Sequence, residues 1–379
     1  MRIVINTSKL RFGGALQVAL SFIYECKRYT EHEYHVFVGQ GVGRSLRKEE
    51  FPANFHFYDF DFGVLNVFKL RRISSQLSQL EKQIEPDCVI TTSGPSYWHS
   101  KSPHLMGYNL GMYIYNDSPY FKTISWYRNL RYFIKRKIHF WFFKRDATAL
   151  IVQTEDVNRR VRKALKKKYV YTISNTYNNF FSEPVFYDLA IPPRHDGEIR
   201  FLTLTSYYPH KNIEIIPGLI EELDKRGHSN VRFILTLPPS VFKNIFRNYD
   251  TSRIINVGTV KPEECPTLYN ESDYMFLPSL AECFSASYPE AMVMKKPIIT
   301  TDLSFAKSIC GDAALYYEPM DAKSAAEIID SLIKNIPLQK ALIKNGLERL
   351  KKFDNADERA RKILELCKMM TNSELTVSD

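Results

Sequence analysis

Short apolar runs alternate with segments of helical periodicity along most of the chain. An apolar run of four to eight residues bounded by turn residues predicts a buried strand, and apolar residues three and four apart predict one face of a helix. In the first half, the predicted strands are 3–6, 34–38, 55–58, 88–91, 104–108 and 150–153. In the second half, they are 201–204, 231–235, 254–257, 274–277, 297–300 and 315–317. This alternation predicts an α/β protein with doubly wound parallel sheets.

The alternation occurs twice, which predicts two domains. At 379 residues the chain is long enough for both. We expect an N-terminal domain over 1–175 and a C-terminal domain over 176–352. A last helix at 357–370 lies within the terminal segment 353–379. Residues 182–198 contain prolines and acidic residues without periodicity, so they are predicted to form a linker.

The composition is that of an ordinary globular protein, with 44% hydrophobic and 25% charged residues. The first seven residues lack the apolar core of a signal peptide. No apolar run approaches the ~20 residues of a membrane-spanning helix. The six cysteines show no paired metal-ligand spacing, so reduced thiols and a cytoplasmic location are expected.

The positive charge is concentrated in one segment. The net charge is +10, but fifteen Lys or Arg and only three acidic residues lie between Lys122 and Lys168. Basic residues bordered by aromatic ones are typical of a helix at a membrane surface. The alternative, that the apolar face packs on the first domain's sheet, is equally supported, so segment 120–168 either contacts an anionic membrane or belongs to the core. The apolar residues at helical spacing are Trp126, Leu130, Phe133, Ile134, Ile138 and Trp141.

Residues 273–302 read as a strand, a loop of small residues, a helix and a second strand. Ligands of such units sit at the carboxyl end of the strand, where loop amides and a helix N-terminus suit an anion. Glu282 lies in the loop and Glu290 in the first helical turn, so both can face one crevice. On spacing alone a simpler interpretation is favoured, in which Ser287-x-x-Glu290 is a capping box and Glu282 is a solvated loop residue.

The run Glu282-Cys-Phe-Ser-Ala-Ser-Tyr-Pro-Glu290 resembles the paired-glutamate signature of the retaining glycosyltransferases of family four, which have the GT-B fold. The resemblance continues through 296–302 and 311–317 and is specific to the second half of the chain. It implies two Rossmann-like domains facing a cleft, with 1–175 on the acceptor side and 176–352 binding the nucleotide-sugar donor. It also implies that the last helix crosses back to the first domain. It also implies transfer of a hexose from a UDP- or GDP-sugar to a glycan acceptor. Together with the basic segment, this predicts a lipid-linked acceptor at the inner face of the cell membrane, in surface polysaccharide biosynthesis.

The resemblance also implies roles for individual residues. Glu282 would contact hydroxyls of the donor sugar and Glu290 the ribose of the nucleotide. Lys211 matches the lysine of the family's phosphate-binding turn, while Ser206 stands where the family usually has arginine. Lys211 and Glu282 are the predicted catalytic residues. The other donor-side positions are Phe284, Ser285 and Ala286 around the diphosphate, Ser287 next to them in the donor site, Val260 and Tyr269 beside the base, and Gly14 in a glycine-containing loop.

Acceptor-side contacts are expected at Asn109 and His104. Family members often have a histidine at the strand end that Asn109 occupies here, whereas His104 is at the start of that strand. A role in the core is the favoured interpretation of His104.

No cofactor or metal is expected beyond the nucleotide-sugar co-substrate. The only Asp-x-Asp sequence, Asp59-Phe-Asp61, lies in the first half of the chain, and we interpret it as surface charge. Lysine and backbone amides can neutralise a departing diphosphate instead of a metal. Because no enzymic nucleophile is evident, retention predicts attack on the face from which the diphosphate leaves.

Two other functions are compatible with parts of the sequence. A nucleotide-sugar epimerase shares the fold class but lacks the glutamate signature. A protein that binds nucleic acid or another polyanion would use the basic segment. No nucleic-acid-binding motif accompanies that segment, and Glu282 and Glu290 would be unexplained, so no nucleic-acid partner is expected.

Overall fold

The computed structural model describes residues 1–11, 13–63 and 67–375, and the chain divides into two compact units. The first comprises Met1–Tyr115, Ile124–Asn175 and Asp354–Asp379. The second comprises Asn116–Thr123 and Thr176–Phe353. The short segment 116–123 therefore belongs to the second unit, although the chain on both sides of it belongs to the first.

Within the described residues, thirteen strands and fifteen α-helices form. The strands are β1 Arg2–Asn6, β2 Glu33–Gly39, β3 Phe55–Phe60, β4 Cys88–Thr91, β5 His104–Gly107, β6 Ala149–Val152, β7 Val170–Thr172, β8 Ile199–Thr203, β9 Val231–Leu235, β10 Ile254–Asn256, β11 Tyr274–Leu277, β12 Ile298–Thr301 and β13 Ala314–Tyr317. The helices are α1 Gly14–Glu25, α2 Gln40–Gly43, α3 Val67–Ile84, α4 Gly111–Ile114, α5 Tyr120–Thr123, α6 Trp126–Asp146, α7 Glu155–Leu165, α8 Ile216–Asp224, α9 Pro239–Ile245, α10 Cys265–Asn270, α11 Ser287–Val293, α12 Ser304–Cys310, α13 Ala322–Lys334, α14 Ile336–Leu350 and α15 Ala356–Thr371.

The first unit is built on a seven-stranded parallel sheet with the order β3-β2-β1-β4-β5-β6-β7. Ile3 and Ile5 of β1 face one core with α1 and α15, and Val4 faces a second core with α3. Alternate residues of a strand point to opposite faces, so a strand covered on both sides is apolar throughout. The last helix, α15, therefore completes the core of the first unit, through Ile363 and Cys367.

The second unit is built on a six-stranded parallel sheet with the order β10-β9-β8-β11-β12-β13. Its core contains Phe201, Phe233 and Phe276 from the sheet, packed against Leu219 of α8 and Ile329 of α13. The strand β11 lies between β8 and β12 and is buried along its whole length. The loops that follow β8 and β11 therefore emerge side by side at the carboxyl edge of the sheet.

The predicted fold class, α/β with two doubly wound parallel sheets, is confirmed, and each predicted strand overlaps an observed one. No helix among the described residues combines the length and the apolar character that crossing a bilayer requires.

The predicted linker at 182–198 contains no helix or strand, but hydrogen bonds and an ion pair hold it against the second unit. The carbonyl of Pro192 accepts a hydrogen bond from Arg200 Nη2 at 2.7 Å, and Arg194 Nη1 lies 2.8 Å from Asp273 Oδ1. Arg200 is fully buried and also bonds Glu198 at 2.6 Å, so the segment closes over a buried ion pair.

Candidate active site

The loop between β11 and α11 is tied to the turn that follows β8. The backbone N–H of Leu280 donates to the carbonyl of His210 at 2.7 Å. This contact brings Lys211, the last residue of the turn at Pro209–Lys211, beside Glu282 of the loop. Lys211 and Glu282 come together because the strands that precede them, β8 and β11, are hydrogen-bonded neighbours in the sheet.

Lys211 and Glu282 form an ion pair between Nζ and Oε1. Only 14% of the lysine side chain and 12% of the glutamate side chain are exposed to solvent. A pair this sheltered interacts more strongly than one on the open surface, because little water screens it. The geometry therefore presents an ammonium and a carboxylate together at the carboxyl edge of the second sheet.

The second glutamate, Glu290, is held by a buried tyrosine. The Tyr269 hydroxyl lies 3.1 Å from Glu290 Oε2 and 3.1 Å from the carbonyl of Ser287. Burial raises the pKa of Glu290 to about 7, and the hydrogen bond from Tyr269 opposes that rise. Glu290 is thus a carboxyl group that changes charge near neutral pH.

The capping-box interpretation of Glu290 is wrong. The residue that caps α11 is Ala286, which has no side chain to accept a bond, and Ser287 is already inside the helix. The Ser287 hydroxyl instead donates to the carbonyl of Leu204, beyond the end of β8, at 3.2 Å. Capping therefore does not explain the position of Glu290.

The remaining predicted donor-side residues of the second unit differ in their burial and contacts. Ser285 is buried, whereas Ala286 and Ser206 are exposed. Phe284 packs edge-on against Phe353, with ring centroids 5.8 Å apart. Val260 lies two positions after Gly258, which has a positive φ of 80° in the turn after β10.

Sequence reasoning missed several neighbours of Lys211. The His210 ring stacks on Tyr208, and burial lowers the pKa of His210. Asn212 adopts a left-handed conformation, and its buried Nδ2 has no partner within the described residues. His210 and Asn212 flank Lys211 in sequence, so the resemblance of this turn to a phosphate-binding turn could have identified them. Nothing in the sequence pointed to Ser118, whose hydroxyl donates to the carbonyl of Leu280 at 2.8 Å from 162 positions away.

The predicted acceptor-side residues belong to the first unit. Asn109 Oδ1 accepts a bond from Gln153 Nε2 at 2.9 Å, beside a cavity of about 20 Å³, roughly one water molecule in size. His104 is buried, 2.7 Å from the Thr91 hydroxyl, and burial lowers its pKa to about 3, so it is neutral at pH 7. This environment agrees with a core role for His104.

Gly14 and the Asp-x-Asp sequence also lie in the first unit. Gly14 is the first residue of α1, and a Cβ added to it would meet no atom within 4 Å, so its surroundings do not require glycine. Asp59 Oδ2 pairs with Lys48 Nζ at 2.6 Å on the surface, and Asp61 accepts the backbone N–H of Gly63. These contacts support surface charge for the two aspartates.

Comparisons with known proteins bear on the second unit most directly. Residues 189–349 match the family model described as glycosyl transferases group 1. An uncharacterized glycosyltransferase from Methanocaldococcus jannaschii is 24% identical over 227 residues, which cover 58% of this chain and 59% of the relative. That match therefore spans less than two thirds of the relative's length.

Solved structures resemble the whole chain. A sucrose-phosphate synthase from Thermosynechococcus elongatus has a TM-score of 0.75 at 15% identity, with 98% of this chain and 100% of that one covered. Anabaena HepE, solved with UDP and glucose, has a TM-score of 0.70 at 15% identity, with 97% and 99% covered. The fold is GT-B. The family match and the fold together support a glycosyltransferase.

The GT-B fold alone does not separate transfer from epimerisation. A candidate UDP-N-acetylglucosamine 2-epimerase from Listeria monocytogenes has a TM-score of 0.64 at 13% identity, with 100% of this chain and 98% of that one covered. Function therefore depends on the residues of the site and not on the architecture.

The raised pKa of Glu290 predicts a pH-dependent effect of its replacement. Between its ordinary value of 4.5 and about 7, the folded protein keeps a proton that the unfolded chain has lost, so this contribution to stability falls as pH rises through that window. The glutamine of Glu290→Gln would stay neutral at every pH. We therefore expect the free energy of unfolding of Glu290→Gln, taken relative to wild type and measured with urea, to rise by up to about 3 kcal/mol between pH 5 and pH 8.

The exposed Glu263 of the same unit provides the control. The free energy of unfolding of Glu263→Gln should differ from that of wild type by the same amount at pH 5 and at pH 8. A Glu290→Gln difference that does not change with pH would contradict the assignment of a near-neutral pKa.

Proposed function

We propose that this protein is a retaining, metal-independent hexosyltransferase that moves a sugar from a UDP- or GDP-linked donor to a glycan acceptor. The observation that carries the proposal is the sheltered Lys211–Glu282 pair at the carboxyl edge of the second sheet. Glu290 follows in the helix of the same unit, within the segment that matches the glycosyltransferase model. HepE, solved with UDP and glucose, supports a UDP-linked donor as the first to test.

The diphosphate of the donor would take the place beside Lys211. Transfer leaves negative charge on the departing phosphate, and an ammonium held in position stabilises that charge without reorganising. Glu282, beside the lysine, would accept hydrogen bonds from hydroxyls of the donor sugar. The ion pair fixes both groups before the donor arrives, so binding does not have to order them.

Glu290 would accept hydrogen bonds from the ribose hydroxyls of the nucleotide. An ionised carboxylate accepts such bonds better than a neutral carboxyl group. Because its pKa lies near 7, donor affinity should increase with pH across neutrality. The acceptor hydroxyl would attack from the face that the diphosphate leaves, with the leaving phosphate oxygen taking its proton.

The acceptor is proposed to be lipid-linked, because α6 carries apolar side chains that are exposed to solvent. Trp126 is 78% exposed and Trp141 54% exposed, and only the C-terminal part of the helix is buried. Leu130, Phe133, Ile134 and Ile138 are exposed as well. This exposure favours the membrane interpretation over the core interpretation of the apolar stripe.

The charge around this helix complements an anionic bilayer. The excess of twelve positive charges lies between Lys122 and Lys168, and each cation near an anionic leaflet contributes ~1 kcal/mol. Exposed tryptophans beside cations suit the boundary between head groups and acyl chains. We propose that α6 docks the protein at the inner face of the cell membrane, where a polysaccharide precursor would be presented.

Epimerisation is the second candidate, favoured by the Listeria monocytogenes neighbour. An epimerase needs no acceptor, so a nucleotide sugar incubated alone with the protein would be converted to its epimer. A transferase consumes the donor at its full rate only when the acceptor is present.

Lys211 should be required for turnover. We expect Lys211→Ala to lower kcat by ~100-fold or more, because it removes a preorganised charge from the developing negative charge of the leaving group. The exposed Lys243 of the same unit gives a matched control, and Lys243→Ala should leave turnover unchanged. The donor for the assay is found by thermal shift with a panel of UDP- and GDP-hexoses, since specific binding stabilises the fold.

A double variant separates a chemical role of the Lys211–Glu282 pair from a structural one, and EDTA tests whether turnover needs a metal. The double variant Lys211→Met/Glu282→Gln leaves no unpaired charge, so it should melt close to wild type and remain inactive. Wild-type turnover should persist in EDTA. Full activity of Lys211→Ala, or loss of wild-type turnover in EDTA, would contradict the mechanism.

The exposed face of α6 should mediate membrane binding. Trp126→Ser with Trp141→Ser should reduce co-sedimentation with anionic liposomes by ~10-fold or more, because two large apolar side chains no longer insert. The melting temperature should hardly change, since neither ring is buried. Tyr249→Ser, at an exposed aromatic of the second unit, is the control and should bind as wild type does.

The charge contribution is tested separately with Lys135, Arg136 and Lys137 changed to Glu. Binding should fall and become less sensitive to salt. Sedimentation that neither set of substitutions alters would remove the membrane from the proposal. Binding to RNA or heparin that persists without the tryptophans would favour a polyanion partner instead.

A further inference from the structure

Three side chains of types that can bind a metal ion converge at the edge of the first sheet. Glu33 is the first residue of β2, and His35 is two positions later on the same face of that strand. His56 lies on the neighbouring edge strand β3, directly opposite His35 in the parallel register. Their imidazole rings stack with centroids 4.8 Å apart. The sheet therefore brings together two histidines and a carboxylate that are separated by at most 23 positions in sequence.

Two of the three distances between these groups are those of ligands around one ion. Glu33 Oε1 lies 3.1 Å from His35 Nε2 and 3.3 Å from His56 Nε2. One ligand atom from each of the three residues lies within 4.8 Å of the other two. Ligands about 2.0–2.1 Å from a tetrahedral Zn²⁺ are about 3.3 Å apart, so the two measured separations already match the edges of such a site.

Neighbouring groups hold two of the three ligands in place. The Tyr58 hydroxyl lies 3.0 Å from His35 Nδ1, the ring nitrogen that faces away from Glu33. Arg2 Nε donates to Glu33 Oε2 at 3.2 Å, which leaves Oε1 for the histidines. Metal-ligating histidines commonly donate their second N–H to such a partner, and ligating carboxylates are likewise hydrogen-bonded.

We propose that Glu33, His35 and His56 bind one Zn²⁺ ion per chain. Two imidazoles and one carboxylate are a ligand set that zinc favours, and the fourth position would be taken by water because His56 is exposed. In the zinc form His35 binds through Nε2, and its Nδ1–H donates to the Tyr58 oxygen.

The place of the site in the sheet indicates its purpose. All three residues lie near the amino ends of their strands, whereas ligands of parallel α/β sheets bind at the carboxyl ends. The ion would join the edge strand β3 to β2, and no step of the proposed sugar transfer uses it. The proposal is therefore independent of the proposed function.

Titration of tag-free, chelator-treated full-length protein with ZnCl₂ tests the site. Isothermal titration calorimetry should show one tight site per chain, and zinc should raise the melting temperature. Replacing zinc with Co²⁺ should give the visible absorption of a tetrahedral complex. These readouts do not depend on enzyme activity.

Variants locate the ion. His56→Gln can still donate a hydrogen bond to Glu33, so it should fold as wild type does in EDTA, while zinc affinity falls by ~100-fold. Tyr58→Phe should weaken binding by ~10-fold, the scale for removing a partner of a ligating histidine. His195→Gln, at an exposed histidine of the second unit, should bind zinc as wild type does. Zinc affinity that is equal in wild type and His56→Gln, or the absence of a stoichiometric site, would overturn the proposal.

Discussion

Sheltering a charged carboxylate from water costs free energy unless a partner compensates for the lost hydration, and in this chain Lys211 accompanies Glu282. The two residues are 71 positions apart, and they meet because β8 and β11 are neighbours in the second sheet. The burial of β11 between β8 and β12 fixes the loop that carries Glu282. The ion pair thus depends on the parallel topology, and the proposed chemistry depends on the ion pair.

The strands were predictable because parallel strands covered on both faces are apolar runs that need no tertiary information. The resemblance named Lys211, Glu282 and Glu290, but sequence could not give their contacts. The position of Tyr269 beside the base of the nucleotide stays a prediction, and its hydrogen bond to Glu290 was not expected from the sequence. The capping-box interpretation was wrong because α11 begins at Ser287, one residue earlier than a cap at that serine would require.

Other features could not be predicted from the sequence, because the same local pattern is compatible with more than one structure. The stripe from Trp126 to Trp141 has the same spacing whether it faces a sheet or a membrane, and only the exposure of its side chains separates the two. His35 and His56 lack the spacing of a metal-binding motif, since strand register brings them together. Ser118 lies in a segment that leaves the first unit for eight residues, which no local signal predicts.

The stereochemistry of transfer tests the central claim most directly. A donor of known anomeric configuration, identified by thermal shift, is incubated with a glycan acceptor and the protein, and the new glycosidic bond is examined by NMR. Same-face attack beside Lys211 and Glu282 predicts that the product keeps the anomeric configuration of the donor. An inverted product would contradict the mechanism, even though the GT-B fold would stand.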